Sequence, residues 1–288
     1  MQPLRRCALA AALLLLTAAA RADHAGEVYA PGVVSTAAAE VRIAFSPDGR
    51  RMLWGSIGRD GPKDQEDIWE RHRQGAGWSA PARVSFDTEA VEFDPAFSPD
   101  GGHVYFHSDQ PGGLGGTDIY VVDLDPATGR FGTPRNLGPT VNSKGDEWAP
   151  TPTAHGTLVF SSDGWGGQGK HDLFEARLTD PAPAPRNLGL NINSADEDFD
   201  ETLAADGKTL IFSSGVMTDD DAKVSLYASR LTPAGWGPRR PLAIGCSTFV
   251  IGSALSRQDP GHLYFAANCP GGQGRMDIRR APWFPPRR

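Results

Sequence analysis

Short segments in which apolar and polar residues alternate recur along the whole chain, the pattern of half-buried strands, and they return with a period of a little over fifty residues. Ala44-Phe45-Ser46-Pro47-Asp48-Gly49 comes back as Ala96-Phe97-Ser98-Pro99-Asp100-Gly101, then in weaker form at 151–156, 202–207 and 254–261. Each copy opens a predicted hairpin. The strand that follows carries an aromatic at Trp54, Phe106, Phe160, Phe212 and Phe265, spaced by 52, 54, 52 and 53 residues. A third strand is predicted at Asp67-Ile68-Trp69, Asp118-Ile119-Tyr120, Asp172-Leu173-Phe174, Ser225-Leu226-Tyr227 and Asp277-Ile278-Arg279. A fourth, at 80–84, 133–137, 184–188 and 237–242, contains proline, which removes a ladder donor and so belongs on an edge.

Four antiparallel strands per repeat, repeated five times, predict an all-β fold: a five-bladed β-propeller of four-stranded antiparallel blades. Radial repetition leaves only short edges, which a barrel or sandwich would not produce at this period. Ala30-Pro31-Gly32-Val33-Val34-Ser35 resembles Ala80-Pro81-Ala82-Arg83-Val84-Ser85, so residues 30–35 are expected to supply the outer strand that the fifth blade, 250–282, lacks. The ring would then be closed by an N-terminal outer strand.

Residues 1–22 read as a signal peptide: Arg5 and Arg6 precede an apolar run from Ala8 to Ala20, with a small-x-small site at Ala20-Arg21-Ala22. Residues 23–288 are expected to form a single propeller domain, periplasmic or secreted and monomeric, with no transmembrane segment. Cys7 precedes the apolar run, which speaks against a lipid anchor. Cleavage would remove three arginines and no acid, moving the formal charge from -7 to -10. So acidic a chain is a poor match for nucleic acid or anionic membrane. Cys246 and Cys269 would remain, and an oxidising compartment makes them a disulfide candidate at the two ends of one hairpin.

Candidate chemistry gathers on one side. Linkers between blades and loops between second and third strands emerge together, and the Ser-Pro-Asp-Gly turns fall opposite. Aligned on the turn glycine, the first strands start with Glu40, Glu92, Glu147 and Asp198, and with Val250 in the last blade. These carboxylates either ring the channel mouth, where they would bind a cation or a basic segment, or accept hydrogen bonds that hold the ring together. Asp48, Asp100 and Asp206 support tight turns, while Asp67, Asp118, Asp172 and Asp277 are expected to hold the glycine-rich loop before them. Departures from the repeat are the other clues. Trp165 either stacks on a ligand or covers the next blade; His171 and Lys170 sit beside it; Asp219-Asp220-Asp221 is a solvated run in which Ca2+ is conceivable. No other cofactor is implied.

The repeat resembles the TolB-type, WD-repeat-like propellers of bacterial envelopes across residues 30–282, most clearly in Phe97-Ser98-Pro99-Asp100-Gly101, Tyr105-Phe106, the loop from Pro111 to Gly116 and Asp118-Ile119-Tyr120. Asn136-Leu137-Gly138 with Asn142-Ser143, and Asn187-Leu188-Gly189 with Asn193-Ser194, look like repeats in envelope proteins that carry an OmpA-type peptidoglycan-binding domain. TolB has six blades and a separate N-terminal domain; this sequence shows five repeats. The resemblance implies a non-catalytic module that binds an envelope protein or a peptidoglycan-associated partner. Five-bladed propellers also include glycoside hydrolases and lyases, for which Glu92, Glu147 and Asp198 would be the candidate acids. No Gly-x-Ser-x-Gly or His-Glu-x-x-His occurs, and no complete Gly-x-x-x-x-Gly-Lys-Ser/Thr loop.

Overall fold

The computed structural model describes residues 25–179, 182–218 and 222–283. Residues 1–22, read above as a signal peptide, and Asp219-Asp220-Asp221 lie outside the described residues. The chain forms five antiparallel sheets arranged as a five-bladed propeller. The innermost strands are Ala39–Phe45, Glu92–Phe97, Glu147–Pro152, Glu197–Leu203 and Val250–Ser256. Each pairs outward with the second and third strands of its blade, and a two-residue outer strand finishes it, as in Ala82–Arg83 or Arg135–Asn136. Among the described residues no helix is long and apolar enough to cross a membrane.

Both faces of each sheet are apolar because each packs on a neighbouring blade. The repeated aromatics Trp54, Phe106, Phe160, Phe212 and Phe265 are fully buried. Their clusters each join two adjacent blades: Leu53 and Ile68 of blade one meet Val104 and Phe106 of blade two, and Trp54 of blade one meets Tyr264 and Ile278 of blade five. Truncating any of these aromatics to alanine should cost ~3–5 kcal/mol, the scale for a large core side chain.

The seam differs from the expectation in register. The strand that completes blade five is Glu27–Val28, paired with Arg279 and Arg280, and Tyr29 extends it by donating its N–H to Ile278 O at 2.8 Å. Residues 30–35 instead form the linker turn into blade one. Ala30 has φ 45°, and its carbonyl accepts from Val33 N and Val34 N. Gly138 and Gly189 do the same in later linkers, with Val141 and Asn142, and Ile192 and Asn193, donating. The Ala-Pro likeness to residues 80–85 thus matched a turn to a strand, and the true outer strand lies just upstream.

Candidate functional site

The two faces of the ring are built differently. On one, each glycine-rich loop presses against the next blade's linker: a Cβ on Gly115, Gly169 or Gly274 would collide with backbone oxygens of Gly145, Asp196 or Thr36 and Ala38. Asp118, Asp172 and Asp277 hold these loops by accepting backbone N–H groups of Leu114 and Gly115, Gln168 and Gly169, and Gln273. On the opposite face Asp48, Asp100 and Asp206 each accept the N–H two residues on. Asp67 departs from the expectation: it accepts no loop N–H and instead lies 3.0 Å from Arg83 Nη2. The other repeated aspartates serve the fold.

Glu40, Glu92, Glu147 and Asp198 are at most 1% exposed, and they close the linkers in one common way. Each accepts both the N–H and the hydroxyl of the Ser or Thr four residues earlier: Thr36, Thr88, Ser143 and Ser194. Ser162 Oγ adds a third bond to Glu147 at 2.6 Å, and Arg239 Nη1 lies 2.9 Å from Asp198 Oδ1. Burial raises all four carboxyl pKa values, and these hydrogen bonds pull against it. Val250 breaks the series, and Cys246 stands four residues before it, where the others carry Ser or Thr. Cys246 is joined to Cys269 with Cα atoms 5.6 Å apart. A covalent tie thus secures the one linker that has no carboxylate.

Trp165 is half-buried, packs on the apolar cluster between blades two and three, and donates Nε1 to Val141 O at 2.8 Å. The run from Gly164 to Lys170 has Gly-x-x-x-x-Gly-Lys spacing, but it joins two strands and is followed by His171. His171 is buried, its ring stacked on Trp148 with centroids 3.7 Å apart. Burial lowers its pKa, so the imidazole is neutral.

Sequence reading missed the axis. Two residues past each linker carboxylate position, Arg42, Asp94, Ala149, Asp200 and Gly252 all have φ between 44° and 62°, and the strand register shifts there in every blade. These are five β-bulges at one level of the ring. Arg42 reaches across it: Nη2 donates to Thr151 Oγ1 at 2.9 Å and to the Ala149 and Pro150 carbonyls at 3.3 Å, and Nη1 lies 4.0 Å from Asp200 Oδ1. Asp200 also accepts Gly252 N at 3.0 Å. Asp94 faces Asp200, and burial followed by the repulsion of that carboxylate holds Asp94 well above the usual range. Glu201, fully buried with neither oxygen hydrogen-bonded, is pushed up to about 8 by burial. His107, 3.6 Å from Asp94, is pushed down to about 3 by burial and by Arg42.

Above Arg42 a cavity of about 520 Å³ opens on the face of the Ser-Pro-Asp-Gly turns. Three residues beyond each bulge, Phe45, Phe97, Pro152, Leu203 and Leu255 ring its wall, one per blade, each partly exposed. Arg42 lines the floor; the wall includes none of Asp94, Asp200, Glu201, Glu40, Glu92, Glu147 or Asp198. At the other end the axis is filled by an apolar cluster from four blades, including Val41, Phe93, Phe199 and Ile251. The working volume is therefore a blind funnel on the face opposite the glycine-rich loops.

No family model and no curated protein matches the sequence. Among solved structures the fold is similar to TolB from Acinetobacter baumannii, with a TM-score of 0.52 and 14% identity over 85% of this chain and 55% of that one. It is also similar to putative TolB from Agrobacterium tumefaciens, with a TM-score of 0.50 and 15% identity over 83% of this chain and 79% of that one. Prolyl oligopeptidase B from Galerina marginata matches at a TM-score of 0.46 and 12% identity, over 34% of its own length. The chain spans about half the length of the Acinetobacter protein, and at these identities the likeness is one of fold.

Proposed function

We propose that the protein is a non-catalytic binding module of the bacterial envelope, periplasmic or secreted, which takes an apolar segment of a partner protein into the axial funnel. One observation carries this reading: a cavity of about 520 Å³ with one partly exposed apolar residue per blade around its wall. That volume lies in the usual range for ligand sites, and apolar walls over a polar floor fit an inserted side chain flanked by backbone. The TolB-like fold is consistent with a protein partner, and the Cys246–Cys269 disulfide with an oxidising compartment. A glycosidase would need two carboxyl groups facing a substrate, and here the linker acids are engaged with Ser and Thr while Asp94, Asp200 and Glu201 lie beneath Arg42.

The test is photocrosslinking in the envelope from a benzophenone side chain placed at Phe97. A specific protein adduct is expected, and it should vanish when Leu203→Glu puts a charge in the funnel wall. Adducts that persist in L203E, or that form equally from a probe at exposed Leu190, would overturn the proposal.

A further inference from the structure

The apolar cluster that closes the axis at the glycine-rich end draws on blades one, two, four and five. Ile57 of blade one, Val91 of blade two, Val224 of blade four, and Phe249 and Met276 of blade five all pack into it. Blade three departs from this. By strand register Asp146 takes the place of Ala39, Val91, Glu197 and Phe249, Asp163 that of Ile57, Asp109, Gly215 and Asn268, and His171 that of Glu66, Thr117, Val224 and Met276. Blades one, two and four each carry a single acid at these positions, and Asp109 accepts Val91 N at 2.8 Å as Asp163 accepts Asp146 N, but only blade three has a potential ligand at all three.

Their geometry is converging. One donor atom from each of Asp146, Asp163 and His171 lies within 4.8 Å of the others. Asp146 Oδ1 accepts Thr117 N at 2.7 Å and Thr117 Oγ1 at 3.1 Å; Asp163 Oδ1 accepts Asp146 N at 2.8 Å. Each carboxylate is oriented through one oxygen, which leaves the second to act as a ligand. Their close approach depends on glycine, because a Cβ on Gly145 would collide with the Asp163 carboxylate. Trp148 fixes the His171 ring by stacking on it, and is itself held by Nε1 donating to Thr117 Oγ1 at 2.9 Å. His171 is only 5% exposed, and its Nε2 makes no hydrogen bond. Burying an imidazole nitrogen without a partner is costly unless a ligand supplies one. Nδ1 lies 3.4 Å from Glu197 Oε2, the arrangement by which a carboxylate orients a metal-binding histidine and which would leave Nε2 for the ion.

We infer that Asp146, Asp163 and His171 form a binding site for a divalent transition-metal ion, with Zn2+ the best match. One imidazole and two carboxylates suit Zn2+, with water as the fourth ligand, whereas Ca2+ takes six to eight oxygens and gains nothing from the imidazole. The ion would tie the second and third strands of blade three to its linker, at the end of the ring where the other four blades contribute to the apolar cluster.

The experiment uses the untagged, disulfide-intact protein, stripped with chelator and titrated with Zn2+ and separately with Ca2+ against a chromophoric competitor. Melting curves are recorded with each ion. One tight equivalent of Zn2+ and a raised Tm are expected, with no response to Ca2+. His171→Gln and Asp163→Asn should each weaken Zn2+ binding by more than about tenfold and abolish the Tm rise. Asp163 is exposed, so D163N keeps the fold even if H171Q does not. A variant at exposed His103 should bind Zn2+ as the unmodified protein does. Absence of stoichiometric uptake, or uptake unchanged in D163N, would overturn the site.

Discussion

Breaking the Cys246–Cys269 bond should destabilise the ring through its fifth linker, and the size of the effect follows from the chain. The cysteines are 23 residues apart. Cross-linking a loop of that length removes about 11 cal/mol/K from the unfolded chain, or about 3 kcal/mol at 25 °C. In a chain of this size each kcal/mol moves Tm by roughly 2–4 °C, so reduction should lower Tm by roughly 6–12 °C. The other four linkers are held by Ser/Thr–carboxylate bonds, so Val250 leaves blade five without a substitute. The cleanest comparison is calorimetry of oxidised and reduced wild-type protein, with Cys246→Ala/Cys269→Ala as the non-reducible control. Hydrogen exchange should show the seam strands, 277–282 and 39–45, opening first. If oxidised and reduced protein melt within about 2 °C of one another, the linker is held by packing alone and the reasoning fails.

Three further outcomes are expected. Glu147→Ala removes the acceptor for Ser143 N, Ser143 Oγ and Ser162 Oγ and should cost roughly 3 kcal/mol in urea denaturation; a loss below about 1 kcal/mol would mean the clamp contributes little. Glu201 has a folded pKa of about 8 against 4.5 for an ordinary glutamate, so its stabilising contribution is complete below pH 4.5 and falls as pH rises toward 8. Glu201→Gln should therefore flatten the decline of stability over that range by up to about 1.4 kcal/mol per pH unit, and an unchanged slope would show that Glu201 ionises normally. Deleting residues 23–29 removes the Glu27–Val28 pairing, the Glu27–Arg280 ion pair and the bonds from Arg279 to the Ala25 and Gly26 carbonyls, and should cost several kcal/mol at about 1 kcal/mol per bond. Melting that matches the full chain would show that this strand does not close the ring.

Some of this architecture is legible from residue identity because each repeat must solve the same local problem. The turn glycines, the buried aromatic of the second strand and the aspartate that accepts loop N–H groups each need one residue type at one position. The period therefore survives in the sequence. The Glu40, Glu92, Glu147 and Asp198 series was equally legible, but whether these side chains faced the channel or the linker depended on which hydrogen bonds they found. The bulges were invisible. Arg42, Asp94, Ala149, Asp200 and Gly252 share a backbone conformation without sharing a side chain, so no pattern of residues marks them.

The sequence by itself thus determined the blade number and the first three strands of each blade, and marked Cys246 and Cys269 as a disulfide candidate, since periodicity and hairpin geometry are local. Only the tertiary structure decided what stands on the axis. Closing five blades into a ring brings residues far apart in the sequence into contact, so that Arg42 meets Asp200 and a blind funnel opens on the face of the plain turns. It also brought donor atoms of Asp146, Asp163 and His171 within 4.8 Å of one another, because strand pairing sets the start of the first strand of blade three beside the ends of its second and third.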